Sequence, residues 1–389
     1  LAVLHPCLEQ TGGAEAVAYY LCLGLDRLGH AVTLYTDRVG GKWGRDIEYH
    51  SLHLHAAADH PGAWRRAGEY FARELAGYDA VLCHNYPTHC WYAAAQEVNP
   101  AMPPALGWLQ EPPRHLYYEQ LHEALPAAFY TRAPLWRRLG IPNIADFFQK
   151  RDPAAREKLR ARDRAALATL RGVLVSSDYI GGWVTRLYGL PAAKVILGTR
   201  VEVRDHLPAE RQRYVLCVTR LELLKNVETL LRAFAVTARQ VPGISLVVVG
   251  EGDDARRLRW LRDQLGLERK VLFRGMVSNE ELLWLYRRAQ LFAFVPLVEP
   301  FGLVNLEAMA CGVPVVTSSA GGPAETVGPA VGVTVDPLDA DALAAAMTAL
   351  LNDPARLAAL GAAGQAQARA WQFTQTVADV AARLATLVG

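Results

Sequence analysis

The chain has 389 residues, 51% hydrophobic and 21% charged, and its formal net charge is +2. This length predicts two domains, and the small net charge gives no reason to expect a nucleic-acid partner. The six cysteines lack the paired spacing of a metal or disulfide site, and no apolar run reaches the roughly 20 residues of a membrane span, so we expect a cytoplasmic protein.

The first elements predict the start of a doubly wound sheet. Leu1–His5 is too short for a signal peptide and is expected to form a strand, followed by a helix over Ala14–Leu28 and a second strand over Ala31–Thr36. Gly12 and Gly13 precede the helix, where they permit close approach of the backbone to a ligand or form only a tight turn. The GxGxxG pattern of dinucleotide sites is absent.

Four histidines, His50, His53, His55 and His60, allow two interpretations. His53 and His55 would share one face of a strand and could bind a metal ion together with His60. The spacing offers no regular third ligand, however, so we favour a half-exposed strand without a metal.

Two buried strands then end in polar residues. Tyr78–Cys83 leads into His84, and Ala105–Leu109 leads into Gln110 and then Arg114. Ligands of parallel sheets bind beyond the carboxyl ends of the strands, so both loops should face a ligand-binding crevice.

The middle of the chain carries few chemical motifs. His115–Phe148 is dense in aromatic and basic residues, which suits helices packed on the first domain, an acceptor platform or a patch for lipid headgroups. Arg151–Arg171 is expected to be a charged helix with a solvated face, and Val173–Ser177 the last strand of the first half. Gly189–Val203 has no helical period and is interpreted as the hinge between the domains.

The alternation of strands and helices resumes at Tyr214–Thr219. Arg220 and Lys225 lie between this strand and a predicted helix over Val227–Arg239. Two cations at a strand end beside a helix N-terminus can clamp a diphosphate, with about 1.5–3 kcal/mol for each charge-assisted contact. Salt bridging at the surface is the alternative.

Leu291–Thr317 predicts a strand, a helix and a second strand. Its helix, Leu303–Ala310, follows Gly302, and the backbone N–H groups at its N-terminus would point into the crevice, which suits a phosphate. Glu299 lies just outside that anion site, and Glu307 lies inside the helix. Carboxylates do not bind a phosphate, but each can accept hydrogen bonds from vicinal hydroxyl groups. The segment therefore predicts a nucleotide-sugar site.

Asp339 and Asp341 superficially match a D-x-D metal motif. They open an Ala-rich helix, where capping and the helix dipole explain them better, so no metal ligand is expected. The last segment, Thr374–Leu387, predicts an amphipathic helix.

The string EPFGLVNLEAMACGVPVVTSSAGGPAE, which starts at Glu299, resembles the E-x7-E signature of retaining glycosyltransferases with the GT-B fold, specifically glycosyltransferase family 4. The resemblance implies an α/β protein of two Rossmann-like, doubly wound domains that face each other across a cleft. Residues 1–197 would bind the acceptor and 198–370 the nucleotide-sugar donor, and 371–389 would form a helix that crosses back to the first domain.

The resemblance also implies roles for individual residues. Arg220 and Lys225 would stabilise the leaving diphosphate without a metal, and Glu299 would bind hydroxyl groups of the transferred sugar. Glu307 would bind the ribose hydroxyls. The residues expected to contact the donor are Gly12, Gly13, Gly250, Gly275, Met276, Phe301, Gly302, Leu303, Val304 and Glu307.

His84, Gln110 and Arg114 are candidate contacts to the sugar or the acceptor. Family members often carry a histidine where this chain has Gln110, in a pattern like H-x-P-P-R. Glutamine can hydrogen-bond a hydroxyl or a phosphate but cannot exchange a proton near neutral pH, which argues against a proton carrier at this position.

The implied function is that of a retaining hexosyltransferase that needs no cofactor. Its donor would be a nucleoside diphosphate sugar, GDP-mannose ahead of UDP-glucose or UDP-N-acetylglucosamine, and its acceptor a glycan, lipid-linked or small-molecule hydroxyl. The leaving phosphate itself would deprotonate the acceptor. A nucleotide-sugar epimerase or hydrolase and a non-catalytic sugar-nucleotide binder are the alternatives on the same fold. Peripheral membrane contact would occur through the first domain.

Overall fold

The computed structural model describes residues 1–8, 12–40, 43, 46, 48–52, 61–117, 152–204 and 211–388, with residues 61–63 described by their backbone alone. The chain divides into two compact units. Unit one consists of Leu1–Val195 and Val377–Gly389, and unit two consists of Ile196–Thr376.

Unit one is built on a parallel sheet with the strand order β3-β2-β1-β4-β5-β6-β7. The described strands are β1 Ala2–His5, β2 Thr33–Thr36, β3 Glu48–Ser51, β4 Val81–His84, β5 Ala105–Leu109, β6 Gly172–Val175 and β7 Ala192–Lys194. The described helices are α1 Gly13–Arg27, α2 Pro61–Glu74, α3 Thr88–Val98, α4 Pro153–Ala168 and α5 Asp178–Tyr188. Strands are added first on one side of β1 and then on the other, which is the doubly wound arrangement.

The central strands of unit one are apolar on both faces, as expected for a parallel sheet covered by helices. β1 and β4 are buried along their whole length, whereas the edge strand β3 exposes Glu48 and Tyr49. The core around β1 and β4 contains Phe71 of α2 and Trp91 and Tyr92 of α3.

Two predictions for the first half are wrong. β7 lies inside the segment interpreted as a hinge, so Val173–Ser177 is not the last strand; a strand of three residues is too short to show a period. Helix α4 does not present only a solvated face, because Arg156 and Asp163 are buried. The partners that satisfy Asp163 come from distant parts of the chain, which the helix's own charge pattern cannot reveal.

Strand β3 ends at Ser51, and it is half exposed as expected. His53, His55 and His60 lie outside the described residues, and so does the aromatic and basic segment after residue 117. Among the helices of the described segments, none is long and apolar enough to cross a membrane.

Unit two carries a second parallel sheet, in the order β10-β9-β8-β11-β12-β13. Its strands are β8 Gln212–Val218, β9 Ser245–Val249, β10 Val271–Gly275, β11 Ala289–Phe294, β12 Val315–Ser318 and β13 Gly332–Val335. Its helices are α6 Val227–Gln240, α7 Ala255–Gln264, α8 Asn279–Arg288, α9 Leu303–Ala310, α10 Pro323–Thr326, α11 Ala340–Leu351 and α12 Pro354–Ala370. The last helix, α13 Phe373–Ala385, contains the boundary between the units.

The strand order places two loops of unit two side by side. β8 lies between β9 and β11, so the loops that follow β8 and β11 meet at the carboxyl edge, meaning the edge formed by the carboxyl ends of the strands. This is the position where the direction of strand addition changes and where such sheets bind ligands. The two sheets confirm the predicted α/β, doubly wound class.

Two predicted helix starts in unit two are confirmed. Helix α9 begins directly after Gly302. The Asp339 side chain accepts from the backbone N–H of Ala342 at 2.8 Å, so this aspartate is the N-cap of α11.

Candidate functional site

At the carboxyl edge of unit two, Lys225 is paired with Glu299. Lys225 ends a 3-10 turn after β8, and its Nζ donates to Oε2 of Glu299 at 2.6 Å, with the two side chains 10% and 15% exposed. The backbone N–H of Leu297 donates to the carbonyl of Leu224 at 2.9 Å, which ties the two loops together. The pair places a cation that suits a phosphate beside a carboxylate that suits hydroxyl groups.

Arg220 lies on the same loop but is more exposed. Its Nη1 donates to Oε1 of Glu222 at 2.8 Å, and 53% of its side chain is exposed. The surface salt bridge considered as the alternative for Arg220 is therefore present. Such a pair contributes only about 0–1 kcal/mol, so a phosphate could replace Glu222 as the partner at little cost.

Asn226 fixes the loop that carries Lys225, and it was not among the predicted site residues. Its backbone is left-handed, with φ +56°, and its amide donates to the carbonyls of Val295 at 2.9 Å and Pro337 at 2.6 Å. Its Oδ1 accepts from the Thr229 hydroxyl at 2.8 Å. The available signal was an asparagine before a helix, since asparagine tolerates the left-handed conformation better than most residues.

Glycines let the loops of the site pack backbone against backbone. A Cβ on Gly250 would lie 1.9 Å from the carbonyl oxygen of Thr219, and one on Gly322 would lie 2.0 Å from that of Pro300. The N–H of Gly322 also donates to the carbonyl of Glu299 at 3.0 Å. Gly250, a predicted donor contact, thus supports the loop that leads to Arg220.

The loop predicted to contact the nucleotide base follows β10. Gly275 has φ +68°, and its carbonyl accepts from the N–H of Gly250 at 2.9 Å. Met276 is 58% exposed, an unusual position for a large apolar side chain. These two residues therefore lie beside the Gly250 loop with one side chain open to contact.

Helix α9 starts at the loop that carries Glu299. Its N-cap residue Gly302 has φ +90°, and a Cβ there would lie 3.0 Å from the Asn305 amide nitrogen. Phe301 is buried, whereas Leu303 and Val304 are half-buried. The first N–H groups of a helix have no acceptor inside it, so this end of α9 suits an anion.

Glu307 is held by a tyrosine, Tyr286, that was not among the predicted site residues. The Tyr286 hydroxyl donates to Oε2 of Glu307 at 2.9 Å, and Tyr286 is only 1% exposed. Burial raises the pKa of Glu307, and the hydrogen bond from Tyr286 opposes this shift. With Oε2 engaged, Oε1 is the oxygen that can accept from a ligand hydroxyl.

The predicted residues of unit one lie at the carboxyl ends of its strands or in the loops that follow. Gly12 is the N-cap of α1 and Gly13 is its first residue. A Cβ on Gly12 would meet the carboxylate of Glu15 at 2.2 Å. Arg114 forms an ion pair with Glu111, and both side chains are partly buried.

His84 and Gln110 contact each other, with 3.0 Å between Nε2 of the histidine and Nε2 of the amide. His84 is fully buried and also contacts His5, with 2.9 Å between the two Nδ1 atoms. His5 was not among the predicted site residues, although a polar residue that ends an apolar strand was a usable signal.

Among the described residues, the ligand atoms of His89, Cys90 and Asp163 lie within 4.8 Å of one another, which is close enough for a metal ion. However, Asp163 already accepts from His89 at 2.6 Å and from the hydroxyls of Tyr117 and Tyr188 at 2.8 Å each. Both carboxylate oxygens have partners, so this cluster is a buried hydrogen-bond network in the core of unit one.

Two family models match the chain. Glycosyltransferase Family 4 matches residues 11–197, and Glycosyl transferases group 1 matches residues 199–367. Together they leave only the two ends and one residue between them unmatched.

Curated relatives match parts of the chain. A GDP-mannose-dependent alpha-(1-6)-phosphatidylinositol monomannoside mannosyltransferase from Mycolicibacterium smegmatis is 37% identical over 175 residues, which are 43% of this chain and 46% of the relative. A glycogen synthase from Mycobacterium tuberculosis is 41% identical over 152 residues, which are 38% of this chain and 35% of the relative. The match thus spans about half the length of the mannosyltransferase and about a third of the glycogen synthase.

The fold is also found among solved structures. A sucrose-phosphate synthase from Thermosynechococcus elongatus has a TM-score of 0.73 and 23% identity, with 99% of this chain and 98% of that chain covered. At this identity the likeness concerns the fold alone.

Proposed function

The chain belongs to glycosyltransferase family 4, and from that membership we propose that it is a retaining hexosyltransferase that moves mannose from GDP-mannose to a hydroxyl group of a glycan, lipid-linked or small-molecule acceptor. The Lys225–Glu299 pair beside the N-terminus of α9 carries this proposal. It brings an anion site and a hydroxyl site together at one edge of one sheet.

In the proposed reaction, Lys225 and Arg220 contact the diphosphate and stabilise the charge that develops as the bond between sugar and phosphate breaks. The N-terminus of α9 adds its backbone N–H groups. Glu299 accepts hydrogen bonds from the sugar hydroxyls, and Glu307 accepts them from the ribose.

The acceptor oxygen then bonds the anomeric carbon on the face that the diphosphate leaves, so the configuration is retained. An oxygen of the departing phosphate takes the proton of the acceptor hydroxyl. No metal enters this scheme, because the two cations and the helix supply the positive charge.

The donor is proposed from the relative from M. smegmatis, which is named GDP-mannose-dependent. The glycogen synthase relative favours a second candidate, a glucosyl donor. A lipid-linked acceptor fits the phosphatidylinositol mannoside named for the first relative, and it would bring the protein to a membrane surface.

Thermal unfolding in the presence of GDP, UDP, ADP and their common sugars, with and without EDTA, tests the donor. A ligand at 100 times its Kd should add about 2.7 kcal/mol of stability. We expect GDP and GDP-mannose to stabilise the protein equally with and without EDTA. If no nucleotide stabilises it, the site assignment is wrong.

Transfer assays with the stabilising donor separate the remaining activities. Sugar release that does not depend on an acceptor would identify a hydrolase, and stabilisation without any turnover would identify a binding protein. Acceptor-dependent transfer with retained configuration is the expected result.

A further inference from the structure

A hydrogen-bond network of three side chains crosses the carboxyl edge of unit one. Nδ1 of His5 lies 2.9 Å from Nδ1 of His84, and Nε2 of His84 lies 3.0 Å from Nε2 of Gln110. His5 ends β1, His84 ends β4, and Gln110 directly follows β5. These three strands are neighbours in the sheet, so the register itself brings the three side chains together.

His5 and His84 are both neutral. His5 is 1% exposed and His84 is fully buried, with the ring of Trp108 edge-on to His84 at 5.6 Å. Burial lowers the pKa of His5 to about 3 and the pKa of His84 well below its ordinary value. A neutral imidazole carries one N–H, so only one of the two facing Nδ1 atoms carries a proton.

The amide of Gln110 sets the direction of these hydrogen bonds. Nε2 of Gln110 is an NH2 group and can only donate, so Nε2 of His84 accepts and the proton of His84 is on Nδ1. Nδ1 of His84 therefore donates to Nδ1 of His5, which accepts. A neutral His5 then carries its own proton on Nε2.

Gln110 is held at a second point as well. Its backbone N–H donates to Oδ1 of Asn85 at 2.8 Å, and Asn85 has a left-handed backbone with φ +64°. Gln110 is half-buried, so ligands can reach its side chain while its main chain is fixed. The amide therefore turns its nitrogen towards His84 and its carbonyl oxygen away from the histidines.

We propose that Gln110 is a specificity-determining residue that presents its amide oxygen to a hydroxyl group of a substrate, and that His84 and His5 are positioning residues that keep the amide in this orientation. An amide without this anchor could flip and offer N–H groups to a phosphate instead. The proposal rests on the glycosyltransferase function proposed above. It assigns a defined acceptor atom to the position where the family often has a histidine.

The orientation is tested without any substrate. In the full chain labelled with ¹⁵N-histidine, two-bond proton–nitrogen spectra distinguish the tautomers of each ring. We expect the proton of His84 on Nδ1 and that of His5 on Nε2, with His84→Phe and His5→Phe used to assign the signals. A proton on Nε2 of His84, or a charged ring at neutral pH, would overturn the proposal.

A double-mutant cycle tests the role in the reaction. Gln110→Met and His84→Phe should each lower kcat/KM for glycosyl transfer about tenfold, and the double variant should be no worse than Gln110→Met, because His84 acts only through Gln110. Losses that multiply in the double variant would overturn the positioning role, and an unchanged Gln110→Met would overturn the contact.

His89→Phe is the matched control, since His89 is an equally buried histidine of unit one that contacts Asp163 instead. Its effect should combine independently with that of Gln110→Met. If the wild-type chain transfers no sugar at all, the proposed function fails, and the spectra still decide the orientation of the amide.

Discussion

Lys225 and Glu299 neutralise each other across two loops, with 2.6 Å between Nζ and Oε2. In Lys225→Ala, Glu299 would keep its charge without the cation and would repel the diphosphate. We expect kcat/KM for the nucleotide sugar to fall at least ~100-fold. Lys225→Arg retains the charge and should lose less. Initial rates of transfer measure both variants.

Lys270→Ala provides the control for this substitution. Lys270 is also a lysine of unit two, and its Nζ donates to the carbonyl of Ala238 at 2.9 Å. Turnover should be unchanged in this variant. Rates near wild type for Lys225→Ala, with both variants folded, would contradict the assignment of the anion site.

Glu307 combines a binding role with a cost in stability. Burial raises the pKa of its carboxyl, so its contribution to stability is fully present below the unfolded pKa and is lost as the pH rises through the folded pKa. Glu307→Gln removes the charge and leaves Oε1 of the amide to accept from Tyr286. We expect this variant to unfold at higher urea than wild type at neutral pH, with no difference at acid pH.

The same variant should bind the nucleotide about tenfold more weakly, because the amide oxygen is engaged by Tyr286 and the NH2 group left for the ribose cannot accept from a hydroxyl. Calorimetric titration with GDP measures this loss. A variant that is less stable than wild type at every pH would show that the buried charge is not the cost we infer.

At the scale of residues, the sequence predicted the charged residues of the candidate site but not the residues that hold their side chains or loops in place. Lys225, Glu299 and Glu307 follow from the spacing of charged residues around predicted strands and helices. Asn226, Tyr286 and His5 act through partners 69, 21 and 79 residues away, respectively. Such pairs depend on the order of strands in the sheet, and this order cannot be predicted from the residue pattern of a single sequence.

Helices α8 and α9 share one half-buried cap, Arg211. The Arg211 guanidinium donates to the carbonyls of Ala289 at 3.0 Å and Gly312 at 2.7 Å, and also to those of Arg287 and Cys311. The cation therefore satisfies the C-terminal ends of two helices, one of which has its N-terminus in the candidate site. We expect Arg211→Met to lower the free energy of unfolding by about 2–4 kcal/mol.

Arg213→Met is the matched control for this prediction. Arg213 lies two residues further along the chain, where it donates to one carbonyl, that of Pro242, at 2.8 Å in an exposed setting. Its loss should cost about 1 kcal/mol or less. Urea unfolding curves compare the two variants, and equal midpoints would argue against the shared cap.

At the scale of elements, sequence prediction succeeded where local chemistry decides. The start of α9 follows from Gly302, and the start of α11 follows from the side chain of Asp339. It failed for β7, whose three residues pair with β6 only in the folded sheet. It also failed for the buried side of α4, because the charge pattern of a helix does not show that Asp163 meets two tyrosines and a histidine.

At the scale of the whole molecule, the two units differ in how the chain builds them. Unit two is one continuous segment, Ile196–Thr376, with its own hydrophobic core around β8, β9 and β11. Unit one needs two segments, and a Cβ on Gly24 of α1 would lie only 2.5 Å from a methyl group of Val377. Helix α1 is therefore packed against the end of the chain, and the first segment alone would expose that face.

This difference predicts the behaviour of fragments. Residues 196–376, expressed alone, should unfold cooperatively in urea and bind GDP within about tenfold of the full chain, because all residues proposed for the diphosphate and the ribose lie in this unit. Residues 1–195 should be markedly less stable and should recover when a peptide of residues 371–389 is added. A 196–376 fragment that unfolds without cooperativity would refute the proposed domain division. A cooperative fragment that does not bind GDP would instead show that nucleotide binding needs residues of the other unit, with Gly12 and Gly13 the first to be tested by substitution.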